Sequence, residues 1–530
     1  MVKIDEGWVS ESWQVRKPAV STTGGLVASQ HYQASAVGAR VLDAGGNAVD
    51  AAIATGIAIG TVEPWMSGLG GGGYMQVMMS GAAKPTVVDF TMISPCRLDP
   101  SHYPMTGNEK SEIFTWPEVV GDRNMQGYTS MMVPGFVAGM ALALETFGTR
   151  TWPETLAPAI KMAEDSMPVD WYATMRIASN ARALSQDPHA AKAFLPDGFV
   201  PGTEVVGPLP RIQLGNLSQT LRRLAEAGPR DFYEGEIAQS ISADMERGGG
   251  WIRGDDLAGY TARLVDPLNS TYRDATVHYS PTLTAGPTLH DVFARLTNSL
   301  SPSTDTPDAL TYVAYADALF DAYSHRLKKL GADASSRDDP GCTTHITVVD
   351  KDGNMVSLTQ TLLSVFGSKT MLPGTGILMN NGVLWFDPRP GGPNSIGAAK
   401  RPLTNMCPTI IVRKDGSRMA LGASGGRRIM PAVMQLISFA VDFEMDLDTA
   451  IHTARIDVSG GDTVLADANL DLSIIKALLA HHPTVAATHA VFPTHYACPN
   501  AVMWNPSDGI KNGAAFVMSP WAEVAISSGG

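Results

Sequence analysis

Cysteine is scarce in this chain: Cys96, Cys342, Cys407 and Cys498 are spread over 530 residues. That is too few, too widely spaced, for a disulfide framework. A basic surplus is also missing. The formal charge is -13, and a chain without a positive field has nothing to gather phosphates, which argues against a nucleic-acid partner. The most apolar helical run, AVDAAIATGIAIG from Ala48 to Gly60, is too short for a bilayer and carries Asp50. The N-terminal stretch MVKIDEGWVSESWQVRKPAV has charges at Lys3, Asp5, Glu6 and Glu11 and no apolar centre, unlike a secretory signal, so a cytoplasmic protein with no membrane partner is expected. There is no internal repeat. No paired Cys or His spacing suits a metal, and no motif suits a nucleotide or flavin, so no cofactor is expected.

What the chain does contain is a large potential core, with 44% hydrophobic and 17% charged residues. Its length allows about three domains or one large mixed fold. Residues His31 to Val62 read as helix, interrupted at AGGN (Ala44 to Asn47). SGLGGGGYMQVMM follows, with Gly68 and Gly70 to Gly73 leading into an apolar strand. A phosphate loop would need Lys-Ser/Thr and a helix after the glycines, so a tight turn with close backbone approach is the better reading. Helical patterns with loops dominate from about Trp152 to Leu300, and Thr306 to Leu330 reads as an amphipathic helix with a basic last turn. The small, charged stretch GADASSRDDPG, Gly331 to Gly341, has the composition of an exposed linker. Strand-like segments then take over (THITVVD, MVSLTQT, CPTIIVR, RMALGAS), with a Pro/Gly-rich loop at Phe386 to Leu403 and a helix at Ala432 to Phe443.

The stretch GCTTHITVVDKDGN, Gly341 to Asn354, places a cysteine, two threonines and a histidine at the junction of linker and strand. The tetrad Asp350-Lys351-Asp352-Gly353 suits a type I turn with Gly353 in the left-handed position. That turn sets Asp350 opposite Asn354 and therefore Thr343 opposite Thr361, with both side chains on one sheet face. A two-residue turn would instead pair Thr361 with Thr344. Four chemistries compete for this stretch. Cys342 and His345 lack the companions a zinc site requires. As a thiol and its base they stand three apart on a strand and point to opposite faces. Ordinary polar strand residues are a third reading. The fourth is cleavage of the Cys342–Thr343 bond. It would give Thr343 a free α-amine with a reference pKa of about 7.7–8.0, able to activate its own hydroxyl.

CTTHITVVDKDGNMVSLTQT resembles the start of the small subunit of the γ-glutamyltranspeptidases, a branch of the N-terminal-nucleophile hydrolases. GGNAVDAAIA, VEPWMSGLGGGGYM, VPGFVAGM, FYEGEIA, PGTGILMNN, KRPLTNMCPTI and GASGGRRI agree with the same family in order, from about Gly45 to Met430. The resemblance implies an α+β fold, a four-layer αββα sandwich made by one chain that cleaves itself between Cys342 and Thr343. Residues 1–342 would form a large, mostly helical α chain ending in a processing linker. Residues 343–530 would form a small β chain, the two interlocked as one fold and open to higher oligomerisation. Thr343 would be the nucleophile of both processing and turnover, Thr361 its hydrogen-bonded companion, and Gly425 and Gly426 the oxyanion-hole amides.

The family's clamp for the γ-glutamyl α-amine and α-carboxylate is altered here. Thr91 stands for its arginine, Leu363 for its asparagine, Leu384 and Trp385 for its acidic pair, and Thr404 and Asn405 for its paired serines at the substrate-binding position. Arg427 is gained beside the glycine pair, where a guanidinium could hold a carboxylate next to the scissile carbonyl. The expected function is therefore autoprocessed hydrolysis of a small carboxylated amide, best exemplified by oxamate going to oxalate and ammonia, as in the oxamate amidohydrolase branch. A γ-glutamyl transferase or hydrolase, a cephalosporin- or glutaryl-type acylase, and an uncleaved scaffold are the alternatives.

Overall fold

The computed structural model describes residues 15–107, 116–202, 206–330, 341–459, 461–488, 490–491 and 494–528. Of the expected processing linker, Gly331 to Gly341, residues 331–340 lie outside the described residues.

Two seven-stranded sheets form the centre. The first runs Val20–Thr22, Lys511–Ala515, Cys498–Trp504, Arg418–Ser424, Thr409–Arg413, Ala275–Tyr279, Leu268–Tyr272 in spatial order. The second runs Glu523–Ser527, Gly25–Ser29, Gly341–Val349, Met355–Ser364, Gly72–Met78, Thr86–Phe90, Arg263–Val265, and neighbours in both sheets are antiparallel. The sheets stack on each other through Gly341–Val349 against Arg418–Ser424 and Cys498–Trp504. Helices Tyr32–Asp43, Ala48–Val62 and Phe136–Phe147 cover the outer face of the second sheet, and Gly286–Ser299 and Ile429–Asp442 cover that of the first. This is the expected αββα sandwich. The described helices include none long and apolar enough to cross a membrane.

Local sequence explains these elements. Every residue of the Ala48–Val62 helix is buried, and its start is fixed by a reciprocal cap in which Asn47 and Asp50 each accept from the other's backbone N–H. A helix that is apolar all round is a core helix. The glycine run forms the Gly72–Met78 strand and the turn before it. A Cβ on Gly71 would lie 2.4 Å from the carbonyl oxygen of Thr361, and one on Gly73 2.1 Å from that of Thr359. The glycines are therefore needed where backbone meets backbone beside Thr361, which answers the phosphate-loop question in favour of close packing.

The hairpin forms as expected. Asp350 N–H donates to Asn354 O at 3.1 Å, and Gly353 has φ 82°. Its register pairs Val349 with Met355 and holds back to Thr344 opposite Gln360. Two details differ from the sequence reading. The strand does not start after the linker but already at Gly341, so the Cys342–Thr343 bond lies inside the ladder. The register also shifts by one beyond Thr344, because Cys342 pairs with Leu363. Thr361 and Leu362 together thus oppose Thr343, a bulge that bends the strand at this point. The helix expected from Ala432 starts earlier, at Ile429, directly after the glycine turn.

Candidate active site

Thr343 and Thr361 meet in this bulge. Thr343 is 5% exposed, and its hydroxyl donates to Thr361 Oγ1 at 3.4 Å. The Thr361 hydroxyl donates in turn to the carbonyl of Cys342, the carbonyl of the peptide bond that precedes Thr343. Leu363 N–H donates to Thr361 Oγ1 at 2.8 Å. A single chain of hydrogen bonds therefore runs from the Thr343 hydroxyl to the peptide carbonyl one residue back. It polarises that carbonyl and fixes which way each hydroxyl proton points.

The competing chemistries find no support in the geometry. The Cys342 thiol points away, donating to Trp65 O at 3.0 Å, and burial pushes its pKa up, far from a thiolate. His345 is fully buried between the sheets, with Nδ1 2.8 Å from Thr359 Oγ1, and burial lowers its pKa to about 3. It is a neutral core residue whose ring lies under Gly422, where a Cβ would come within 2.2 Å of Cε1. Among the described residues no group of three or more His, Cys, Asp or Glu side chains could hold a metal ion.

The Arg418–Ser424 strand delivers the glycine pair to the same place. Gly425 has φ 133° and ψ 31°, and Gly426 has φ 60°. This is backbone that favours glycine, and a Cβ on Gly425 would also lie 2.9 Å from Ala497 Cα. The turn Gly426–Arg428 lies against the Gly341–Val349 strand. One side chain ties the two together: Gln30 accepts from Thr344 Oγ1 at 2.9 Å through Oε1, and its Nε2 donates to Ser424 Oγ. Sequence reading missed Gln30, since nothing local marks a glutamine nearly 400 positions away as the bridge.

Arg427 is 8% exposed rather than a surface charge, and its carbonyl accepts from Tyr323 Oη at 2.6 Å. Thr404 is fully buried, donating from its hydroxyl to Leu283 O at 3.1 Å. Behind both stands Arg326, a second residue that sequence reading passed over. Its guanidinium donates to Thr284 O at 2.8 Å, Thr288 Oγ1 at 3.1 Å, Thr404 O at 2.7 Å and Asn405 Oδ1 at 3.4 Å. Burial lowers its pKa to about 10, with the nearby Arg427 adding to the effect. A signal for it existed: Tyr312, Tyr315, Leu319, Ala322 and Tyr323 are buried on the same helix, and Arg326 continues their stripe. The altered clamp positions Leu363, Leu384 and Trp385 are all buried in one apolar cluster with Tyr74, Met132 and Met406.

The γ-glutamyltranspeptidase family profile matches residues 34–339 and 332–511, most of the chain. The chain belongs to the γ-glutamyltranspeptidase family. It is 32% identical to the acylase ACY 1 proenzyme of Pseudomonas sp. (strain V22), over 97% of this chain and 95% of that one. It is 30% identical to the glutathione hydrolase proenzyme of Escherichia coli (strain K12), over 81% and 80%. The cephalosporin acylase structure from Bacillus halodurans superposes with a TM-score of 0.81 at 25% identity and covers 98% of both chains. The protein is accordingly a hydrolase of amide bonds of the N-terminal-nucleophile type.

Proposed function

We propose that the chain cleaves itself between Cys342 and Thr343 and then hydrolyses an amide whose acyl part lacks an amino-acid head. The observation that carries this reading is the hydrogen-bond chain from the Thr343 hydroxyl through Thr361 to the Cys342 carbonyl. In processing, Thr343 Oγ1 attacks the Cys342 carbonyl carbon, the C–N bond breaks, and the hydroxyl proton passes to the departing nitrogen. Water then hydrolyses the resulting ester, leaving a Cys342 carboxylate and a free Thr343 amine. That two relatives are named proenzymes supports this step. In turnover the Thr343 amine takes the hydroxyl proton, the hydroxyl attacks the substrate amide, and ammonia or an amine leaves. Water then releases the acid. In this reading the amides of Gly425 and Gly426 serve the developing oxyanion, a role for which such a donor is typically worth about 2.7–4 kcal/mol.

The buried apolar set Leu363, Leu384 and Trp385 supports an acyl group without an ammonium, which would find no carboxylate there. Arg427, beside Gly426, supports a carboxylate on a short acyl group, and oxamate is the smallest amide of that kind. A bulkier acylase substrate is the second reading, favoured by the similarity to the ACY 1 and cephalosporin acylases. Ammonia release from oxamate, amine release from a glutaryl amide, and turnover of a γ-glutamyl anilide separate the cases when each is compared with Thr343→Ala. Oxamate turnover above that control is the expected result. Glutaryl-amide turnover alone moves the substrate to the acylase class, and γ-glutamyl turnover overturns the loss of the amino-acid clamp.

A further inference from the structure

The loop directly after Thr361 is wound in a conformation that its side chains disfavour. Leu363, Phe366 and Lys369 have φ of 86°, 61° and 62°, and Gly367 between them has 52°. Left-handed backbone at three non-glycine residues so close together needs something to hold it. The holder is a cation folded back into the loop. Lys369 Nζ donates to Ser364 Oγ at 2.9 Å, to Gly367 O at 3.0 Å and to Val365 O. Ser364 is further pinned by Asn381, which donates from Nδ2 to Ser364 Oγ at 2.7 Å and accepts from Ser364 N–H at 3.1 Å. One residue before Ser364, Leu363 N–H fixes the Thr361 hydroxyl at 2.8 Å.

The three acceptors require three donors. An ammonium has three N–H bonds and a neutral amine has two, so loss of the proton removes one of the three ties from Lys369 to the loop. Gly367 O and Ser364 Oγ keep a second donor each, Ser364 Oγ at 3.0 Å and Asn381 Nδ2 at 2.7 Å, and the clamp is loosened rather than dismantled. We propose that Lys369 is a positioning residue: its ammonium clamps the Leu363–Gly367 loop and thereby holds the Thr361 hydroxyl in line with the Cys342–Thr343 bond. The proposal rests on Thr343 and Thr361 acting as described above. Burial lowers the Lys369 pKa to about 8. The titratable group that faces it is the Cys342 thiol on the paired strand, which is itself neutral; Glu63 and Arg176 face that thiol rather than the ammonium. The clamp is thus intact at neutral pH and loosened as pH rises through about 8.

The test follows the conversion of full-length chain into two chains on denaturing gels, in wild type, Lys369→Arg, Lys369→Met and Thr343→Ala, from pH 7 to pH 9. Circular dichroism at each pH reports the folded fraction. Wild-type cleavage should fall about fivefold between pH 8 and pH 9, as the ammonium fraction does. Lys369→Arg stays charged in this range and should lose that alkaline fall. Lys369→Met should cleave about tenfold more slowly at pH 7, the size of effect seen when a group that orients a reacting residue is lost. A wild-type rate that stays flat to pH 9, or the same alkaline fall in Lys369→Arg, overturns the proposal even if the methionine variant does not fold. Cleavage of Thr343→Ala would instead overturn the nucleophile assignment and leave the clamp to be judged on the pH profiles.

Discussion

Thr361 does two things at once: it accepts from Thr343 and donates to the carbonyl of Cys342. Its removal should therefore be felt in processing before any substrate is present. Thr361→Ala is expected to slow self-cleavage by about 10²–10³, the range for losing one donor to a developing oxyanion, while Thr361→Ser keeps the hydroxyl and most of the rate. A time course of chain separation checks this, and an unchanged rate in the alanine variant would sink the role given to Thr361. The pairing of Thr343 with Thr361 was readable in the sequence because a hairpin turn sets its register over a few residues. The bulge that brings the hydroxyls together was not, since it depends on Gly341 and Cys342 continuing the ladder against Leu363 and Ser364.

At the scale of elements, the glycine strand and the Met355–Ser364 strand are in contact through bare backbone. Gly71→Ala would push its methyl into the Thr361 carbonyl oxygen, 2.4 Å away at the ideal position. Neither backbone can yield cheaply, and overpacking of this kind costs about 1–3 kcal/mol. The expected result is a lower melting temperature together with slower self-cleavage, measured on the same preparation. A variant that melts early but cleaves normally would show that the contact supports the fold without setting Thr361. Helix and strand identities were largely legible from periodicity, caps and turns. Arg326 was less so. A basic last turn suggests a solvated helix end, yet Arg326 lies on the buried stripe and bonds four neutral oxygens from two other segments.

Across the whole molecule, each of the two large sheets contains hydrogen-bonded strands from both sides of the Cys342–Thr343 bond. Cleavage at that bond should leave two chains that still co-elute on gel filtration in native buffer and separate only in denaturant. Proton linkage gives a second global expectation. Burial keeps His31 and His345 at about 3 and His278 at about 4, against 6.5 for a free imidazole. The unfolded chain takes up those protons below pH 6.5 and the folded chain does not, so stability falls as pH drops from about 6.5 toward 4. Glu63 works the other way. Burial raises it to about 8, so the folded state holds a proton that the unfolded state releases above about 4.5, and this contribution is lost as pH rises toward 8. Three imidazoles outweigh one carboxyl below pH 6, and the melting temperature is expected to fall between pH 6.5 and pH 4.5. Glu63→Gln should steepen that fall. A melting temperature that is flat over this range would contradict the burial of these groups.

The sequence by itself determined the ordered family motifs, the buried small-residue helix, the glycine turn and the hairpin that aligns Thr343 with Thr361. All of these follow from interactions between residues close in the chain, where turn chemistry and periodicity act directly. The tertiary structure alone decided that the peptide bond before Thr343 lies within a bulged ladder. It also decided that Gln30 joins Thr344 to Ser424, that Arg326 supports Thr404 and Asn405, and that Lys369 closes the loop behind Thr361. For Gln30 and Arg326 the partners lie tens to hundreds of positions apart, and only packing of the two sheets and their helices makes them neighbours. Lys369 is local, but its role depends on left-handed turns that its side chains do not announce.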